Sequence, residues 1–184
     1  GEPFDVNVEL TVTTGPRMRV SPLNLTRSVM VGQDAEGQEI FISNSSTSEV
    51  INCRADWDQS WLRVSPSNSI IIAPGETGVL AVSYSTTGLT TNLMGPSNYN
   101  AVITVTATNT DTIGSPALVG VTVRVNPKAR LAKDALVITN VVTEGQDAPS
   151  KSFKVRNSSG YYTLEYSLSD NVDWMVLSPA SGTS

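Results

Sequence analysis

Asp56-Trp57-Asp58 is the densest grouping of chemically capable side chains in this sequence. Two carboxylates flanking an indole suit carbohydrate chemistry in two ways. A carboxylate couple can act as acid and as nucleophile or base on a glycosidic bond, and a flat exposed ring can stack on the apolar face of a pyranose. The chain contains no histidine, which removes Ser-His and Cys-His nucleophile pairs and histidine-ligated zinc together. No groove signature or supporting residue surrounds Asp56 and Asp58, so the chain is not expected to be an enzyme and no cofactor or metal is expected. Trp57, a loop residue that the repeat does not require, is read as a ring folded down over the end of the sandwich or, alternatively, as an exposed contact for glycan, with Tyr99 joining it from the polar loop between Ser85 and Asn100.

Other candidates reduce to local structure. Asp34, Glu36 and Asp147 fall in equivalent turns and supply oxygen ligands of the kind calcium takes, but too few converge, and an Asx-type turn accounts for them. Asn24-Leu25-Thr26, Asn44-Ser45-Ser46 and Asn157-Ser158-Ser159 match the N-glycosylation sequon and equally read as turns. Cys53 is the only cysteine, so no internal disulfide forms, and a half-buried packing role is expected for it.

The elements that position these residues follow from a repeat. Trp61-Leu62-Arg63-Val64-Ser65-Pro66-Ser67 returns as Trp174-Met175-Val176-Leu177-Ser178-Pro179-Ala180, 113 residues later. The same offset carries Gly32-Gln33-Asp34-Ala35 onto Gly145-Gln146-Asp147-Ala148 and Asn44-Ser45-Ser46 onto Asn157-Ser158-Ser159. Tyr161-Tyr162 stands where the first copy has Ser48-Glu49. Between these landmarks run short apolar or alternating segments separated by Gly, Pro, Asn and Ser, the pattern of an antiparallel β-sandwich. Trp61 and Trp174, each before an apolar residue and a Pro turn, are read as core aromatics between two sheets. Residues 1–15 read as the last strand of a preceding repeat, 16–127 as a complete sandwich and 128–184 as the first half of a following one. The fold class is therefore all-β, as tandem immunoglobulin-like sandwiches with a period of 113 residues.

A formal charge of −5, from 12 basic and 17 acidic residues, argues against a nucleic-acid partner, which requires a basic face. No stretch approaches the roughly 18 apolar residues of a membrane span, and no leader segment stands at Gly1.

The run from Trp61 to Ser67, with Ala73-Pro74-Gly75-Glu76, Ser85-Thr86-Thr87-Gly88-Leu89 and Tyr99-Asn100-Ala101-Val102-Ile103-Thr104-Val105-Thr106, resembles the BACON domain, an immunoglobulin-like module. The resemblance covers about Arg17 to Pro127 and the partial unit beyond. It departs at Asn68-Ser69, where the family has Ser-Gly, and in a longer Gly88–Asn100 loop. It implies an extracellular, cell-surface or virion-associated protein, tandem arrangement, and an association with polysaccharide or mucin glycan; it carries over no catalytic residues. Three readings follow. The chain is a structural spacer whose partners are neighbouring repeats, a carbohydrate-binding module using Trp57 and Tyr99, or a fibre subunit. In the third, Phe4, Val6, Val8, Leu10 and Val12 donate a strand to an identical subunit.

Overall fold

A computed structural model describes residues 7–9, 15–92, 95–109, 111–135 and 137–184. The described residues group into two compact units. The first takes those within Gly1–Arg27, Asp34–Thr86 and Tyr99–Val123; the second takes those within Ser28–Gln33, Thr87–Asn98 and Arg124–Ser184.

Period-two alternation and β-branched content give strands from Met18 to Asn126. In order they are β1 (Met18–Ser21), β2 (Asn24–Met30), β3 (Gln38–Asn44), β4 (Ile51–Trp57), β5 (Leu62–Ser65), β6 (Ile70–Ile72), β7 (Thr77–Tyr84), β8 (Ser97–Ala107) and β9 (Ala117–Asn126). They form a four-stranded sheet in the order β1-β3-β7-β5 and a five-stranded sheet in the order β2-β9-β8-β4-β6. Register follows the alternation. Ile40 lies opposite Leu80 and Ile42 opposite Gly78 in one sheet, while Ala55 lies opposite Val105 in the other. The inward positions Ile40, Ile42, Leu62, Leu80, Ile51, Ile103, Val105 and Val119 are fully buried and make an apolar core of the sandwich. No helix occurs among the described residues, so none is long and apolar enough to cross a membrane.

Turn chemistry closes the strands. Gly75 takes φ 76° in the Ala73-Pro74-Gly75-Glu76 turn, where its N–H reaches the Asn44 carbonyl. Ser69 takes φ 54°, left-handed and without glycine's freedom; residue 182, its counterpart, is Gly. Ser69→Gly is therefore expected to raise the unfolding free energy by about 0.5 kcal/mol, seen as a higher urea midpoint, once the extra freedom of the unfolded chain is offset. A lowered midpoint would mean that the Ser69 side chain holds the turn.

In the second unit, β10 (Leu131–Lys133) pairs with β11 (Val155–Asn157), and β12 (Glu165–Ser167) with β13 (Ser181–Thr183). The β10–β11 register, Leu131 opposite Asn157, is that of β1–β3, Met18 opposite Asn44, moved by the sequence offset. The β12–β13 ladder is one residue out of step with β4–β6: Cys53 faces Ile70, whereas its counterpart Tyr166 faces Gly182 rather than Thr183. Such a slip moves side chains to the other face. Phe4, Val6, Leu10 and Val12 lie outside the described residues; Val8 is exposed and in no strand.

Candidate functional site

Trp57 is the last residue of β4, not a loop residue, because its backbone continues the ladder opposite Ile103. It has the inward parity of Ile51, Cys53 and Ala55 and is half-buried at the end of that face. Tyr99 likewise belongs to β8, since the alternation of Ala101 and Ile103 extends back through it, and it too is half-buried. Four residues separate Tyr99 from Trp57's partner Ile103, so the two rings are rooted about 13 Å apart along the sheet.

The neighbouring carboxylates are occupied. Asp58 accepts a hydrogen bond from the Val102 N–H at 2.9 Å, and Asp56 pairs with Arg54 at 3.2 Å. Both are exposed on the outward face of β4 and just beyond it. Asp34 accepts from the Thr86 N–H at 2.5 Å, while the Thr86 hydroxyl accepts from the Ala35 N–H, an arrangement that clasps the turn to the end of β7. Among the described residues no three His, Cys, Asp or Glu side chains are gathered to hold a metal.

Trp61 is buried and stacks on Tyr84 with centroids 6.5 Å apart and planes inclined by 24°. Trp174 departs from the core role read from the sequence: it is 83% exposed, as are its neighbours Met175 at 37% and Val176 at 87%. Among the described residues no ring stacks on Trp174, whereas Trp61 has Tyr84.

Burial sets two titrations. Desolvation pushes the Cys53 thiol up to about 11 and the Tyr84 phenol up to about 12, the latter partly countered by Arg27. Tyr84 also donates to Gln38 Oε1 at 2.8 Å. Both groups favour the neutral form when folded. The stability they contribute is thus intact below their ordinary values near 9 and 10, and is lost as pH rises toward about 11 and about 12. Urea midpoints are expected to fall across that alkaline window and to be insensitive to these groups at neutral pH. A disulfide reagent at neutral pH should label Cys53 only on unfolding; rapid labelling of the folded chain would contradict its burial.

Two features were not evident from motifs. Asn44 is a buried hub rather than a simple turn residue, and a basic face lies on β10–β11, where Lys154-Val155-Arg156 alternates as a strand does. Within the second unit a cavity of about 470 Å³ is lined by Val31, Thr91, Pro127, Lys128, Arg130 and Ser159, among others.

No family model matches the chain, and no curated protein matches it. Solved structures similar to it include the periplasmic chaperone SfaE, at 11% identity and a TM-score of 0.44 over 67% of this chain and 61% of that one. A candidate carbohydrate-binding protein from Bacteroides ovatus matches at 14% identity and a TM-score of 0.49, covering 64% of this chain and 38% of that one. The Pseudomonas aeruginosa CupB2 chaperone matches at 16% and 0.42, covering 90% and 82%. The chain thus spans about three fifths of SfaE and under two fifths of the Bacteroides ovatus protein. The sandwich assignment rests on the two sheets themselves.

Proposed function

We propose that this chain is a non-catalytic spacer: a stretch of tandem β-sandwich units in a larger extracellular or virion-associated protein, setting the distance between modules that act. The observation that supports it best is the recurrence of one set of strand-end bonds. Asn44 Nδ2 donates to the Glu49 carbonyl at 2.7 Å, and Asn157 Nδ2 to the Tyr162 carbonyl at 2.7 Å. The Ser46 N–H donates to Asn44 Oδ1 and the Ser159 N–H to Asn157 Oδ1. The Ser45 and Ser158 N–H groups reach the Arg17 and Arg130 carbonyls. Each pair is separated by the sequence offset, as expected of one structural unit used twice.

The stretch between β9 and β10 lends further support to this reading. Only four residues separate the end of β9 at Asn126 from the start of β10 at Leu131. Asn126 is buried, its amide donates to Ser28 Oγ at 2.7 Å and its carbonyl accepts from the Val31 N–H at 2.9 Å; Pro127 is buried beside it. A short tether anchored in this way restricts swinging of successive modules. The test is small-angle scattering of the chain with and without a short Gly-Ser insertion after Pro127. A broader distance distribution in the insertion variant is expected. Identical distributions would mean that the junction is already loose and would sink the spacer reading.

A further inference from the structure

We propose that the outward face of the β10–β11 ladder binds an anionic polysaccharide through Arg130, Lys154 and Arg156. This site involves neither Trp57 nor Tyr99 and does not rest on the spacer reading.

Charge is unevenly placed along the chain. Lys128, Arg130, Lys133, Lys151, Lys154 and Arg156 make up six of its 12 basic residues, against only Asp134, Glu144 and Asp147 over the same stretch, in a chain of net charge −5. Register decides which of them act together. Ala132 lies opposite Arg156, so residues 130 and 132 share one face with Lys154 and Arg156. The other face carries Leu131 and Val155, counterparts of the buried Met18 and Ile42. Arg130, Lys154 and Arg156 are all exposed. Lys154 and Arg156 stand about 7 Å apart along one strand, and Arg130 lies diagonally from Arg156 at about 7–8 Å. Ala132 is too small to cover the space above Arg156.

The cations are presented from a fixed backbone. The Arg130 N–H donates to Asn157 Oδ1 at 3.1 Å, and its carbonyl accepts from the Ser158 N–H at 2.8 Å. The Lys154 N–H donates to Asp134 Oδ1 at 2.7 Å, and its carbonyl accepts from the Asp134 N–H at 3.3 Å. Asp134 is the acid on this face, and its carboxylate is engaged by that backbone bond. Among the described residues none of the three cations forms an ion pair. The Asn157 amide that receives Arg130 also donates to the Tyr161 and Tyr162 carbonyls, which fixes an exposed tyrosine, Tyr162, on the loop after β11. Arg130 is shared between this row and the cavity that Lys128 also lines.

These features select the ligand. A row of unpaired cations on a flat ladder suits sulfate or carboxylate groups repeated along an extended polymer. An exposed tyrosine adds a flat apolar surface of the kind a pyranose ring covers. Nucleic acid, with one charge per nucleotide, is disfavoured by an acidic chain offering only three such cations. The first unit lacks the set: the counterparts of Lys154, Arg156 and Tyr162 are Phe41, Ser43 and Glu49.

The test is affinity electrophoresis of the full chain in gels containing dextran sulfate, polygalacturonate or neutral dextran. Retardation is expected in both anionic matrices and absent in neutral dextran, and it should weaken steeply with salt. The double variant Lys154→Gln/Arg156→Gln should bind at least about tenfold more weakly, the loss expected of two charge-assisted contacts. Arg19→Gln/Arg63→Gln, which removes as much exposed charge from the first unit, should bind as the parent does. Melting curves establish that both variants fold, and should the first be shifted, Arg130→Gln is read in its place. Equal loss in both double variants would reduce the effect to net charge and overturn the site. No retardation in the anionic gels would do the same, and stronger competition by single-stranded DNA than by polysaccharide would overturn the ligand class.

Discussion

Asn44→Ala is expected to lower the unfolding free energy of the first unit by about 3 kcal/mol, seen as a drop in urea midpoint at unchanged slope. Asn44 is 1% exposed at the end of β3. Its Nδ2 donates to the Glu49 carbonyl at 2.7 Å and the Ile72 carbonyl at 3.1 Å, and its Oδ1 accepts from the Ser46 N–H at 3.0 Å. Its own N–H and carbonyl bond the Glu76 carbonyl and the Gly75 N–H. One side chain therefore joins the end of β3, the loop into β4 and the edge strand β6. Alanine keeps the backbone bonds but strands two carbonyls and one N–H, and a buried polar group without a partner costs about 1–3 kcal/mol. Asn157 makes the equivalent bonds to Tyr162 and Ser159, with the Tyr161 carbonyl rather than a distant strand as its third partner, but is only half-buried, where water replaces them. Asn157→Ala should cost under about 1 kcal/mol. Equal losses at the two sites would show that burial is not what gives Asn44 its weight.

That contrast marks how far the sequence alone reaches. Alternation placed the strands well, since inward and outward residues of a half-buried strand differ in type, and Ile40-Phe41-Ile42 or Val121-Thr122-Val123 has one reading. Chain offset placed Asn44 and Asn157 in equivalent turns but was silent on burial, which depends on strands distant in sequence: Ile72 reaches Asn44 across 28 residues. In sequence Trp57 reads as a loop residue between Asp56 and Asp58, and Tyr99 as part of a polar loop holding Gly88, Gly95 and Pro96. Ladder pairing with Ile103 and the length of β8 override that local preference. The basic face was hidden for a related reason. Arg130 and Arg156 are far apart along the chain, and only the β10–β11 register brings them together.

Trp61→Ala is expected to be the most damaging single change, at about 4 kcal/mol, while Trp174→Ala should cost less than about 0.5 kcal/mol. The two tryptophans open matching segments, so sequence assigns them one role. Trp61, however, is 8% exposed and stacked on Tyr84, its carbonyl accepts from the Ser85 N–H at 2.8 Å, and Leu62 beside it lies opposite Tyr84 in the ladder. Alanine would empty a ring-sized volume against Tyr84 and a core already closed by Leu62 and Val82. Trp61→Phe keeps a ring over Tyr84 and should recover more than half the loss. Trp174, 83% exposed, has little packing to lose. Iodide quenching separates them optically: emission lost in Trp174→Ala should be the accessible component, and that lost in Trp61→Ala the protected one. If Trp174→Ala lowered the urea midpoint as far as Trp61→Ala, a second packed core around Trp174 would be required. The face carrying Met175 and Val176 would then be covered in solution, and a strand supplied by another copy would become the first occupant to test.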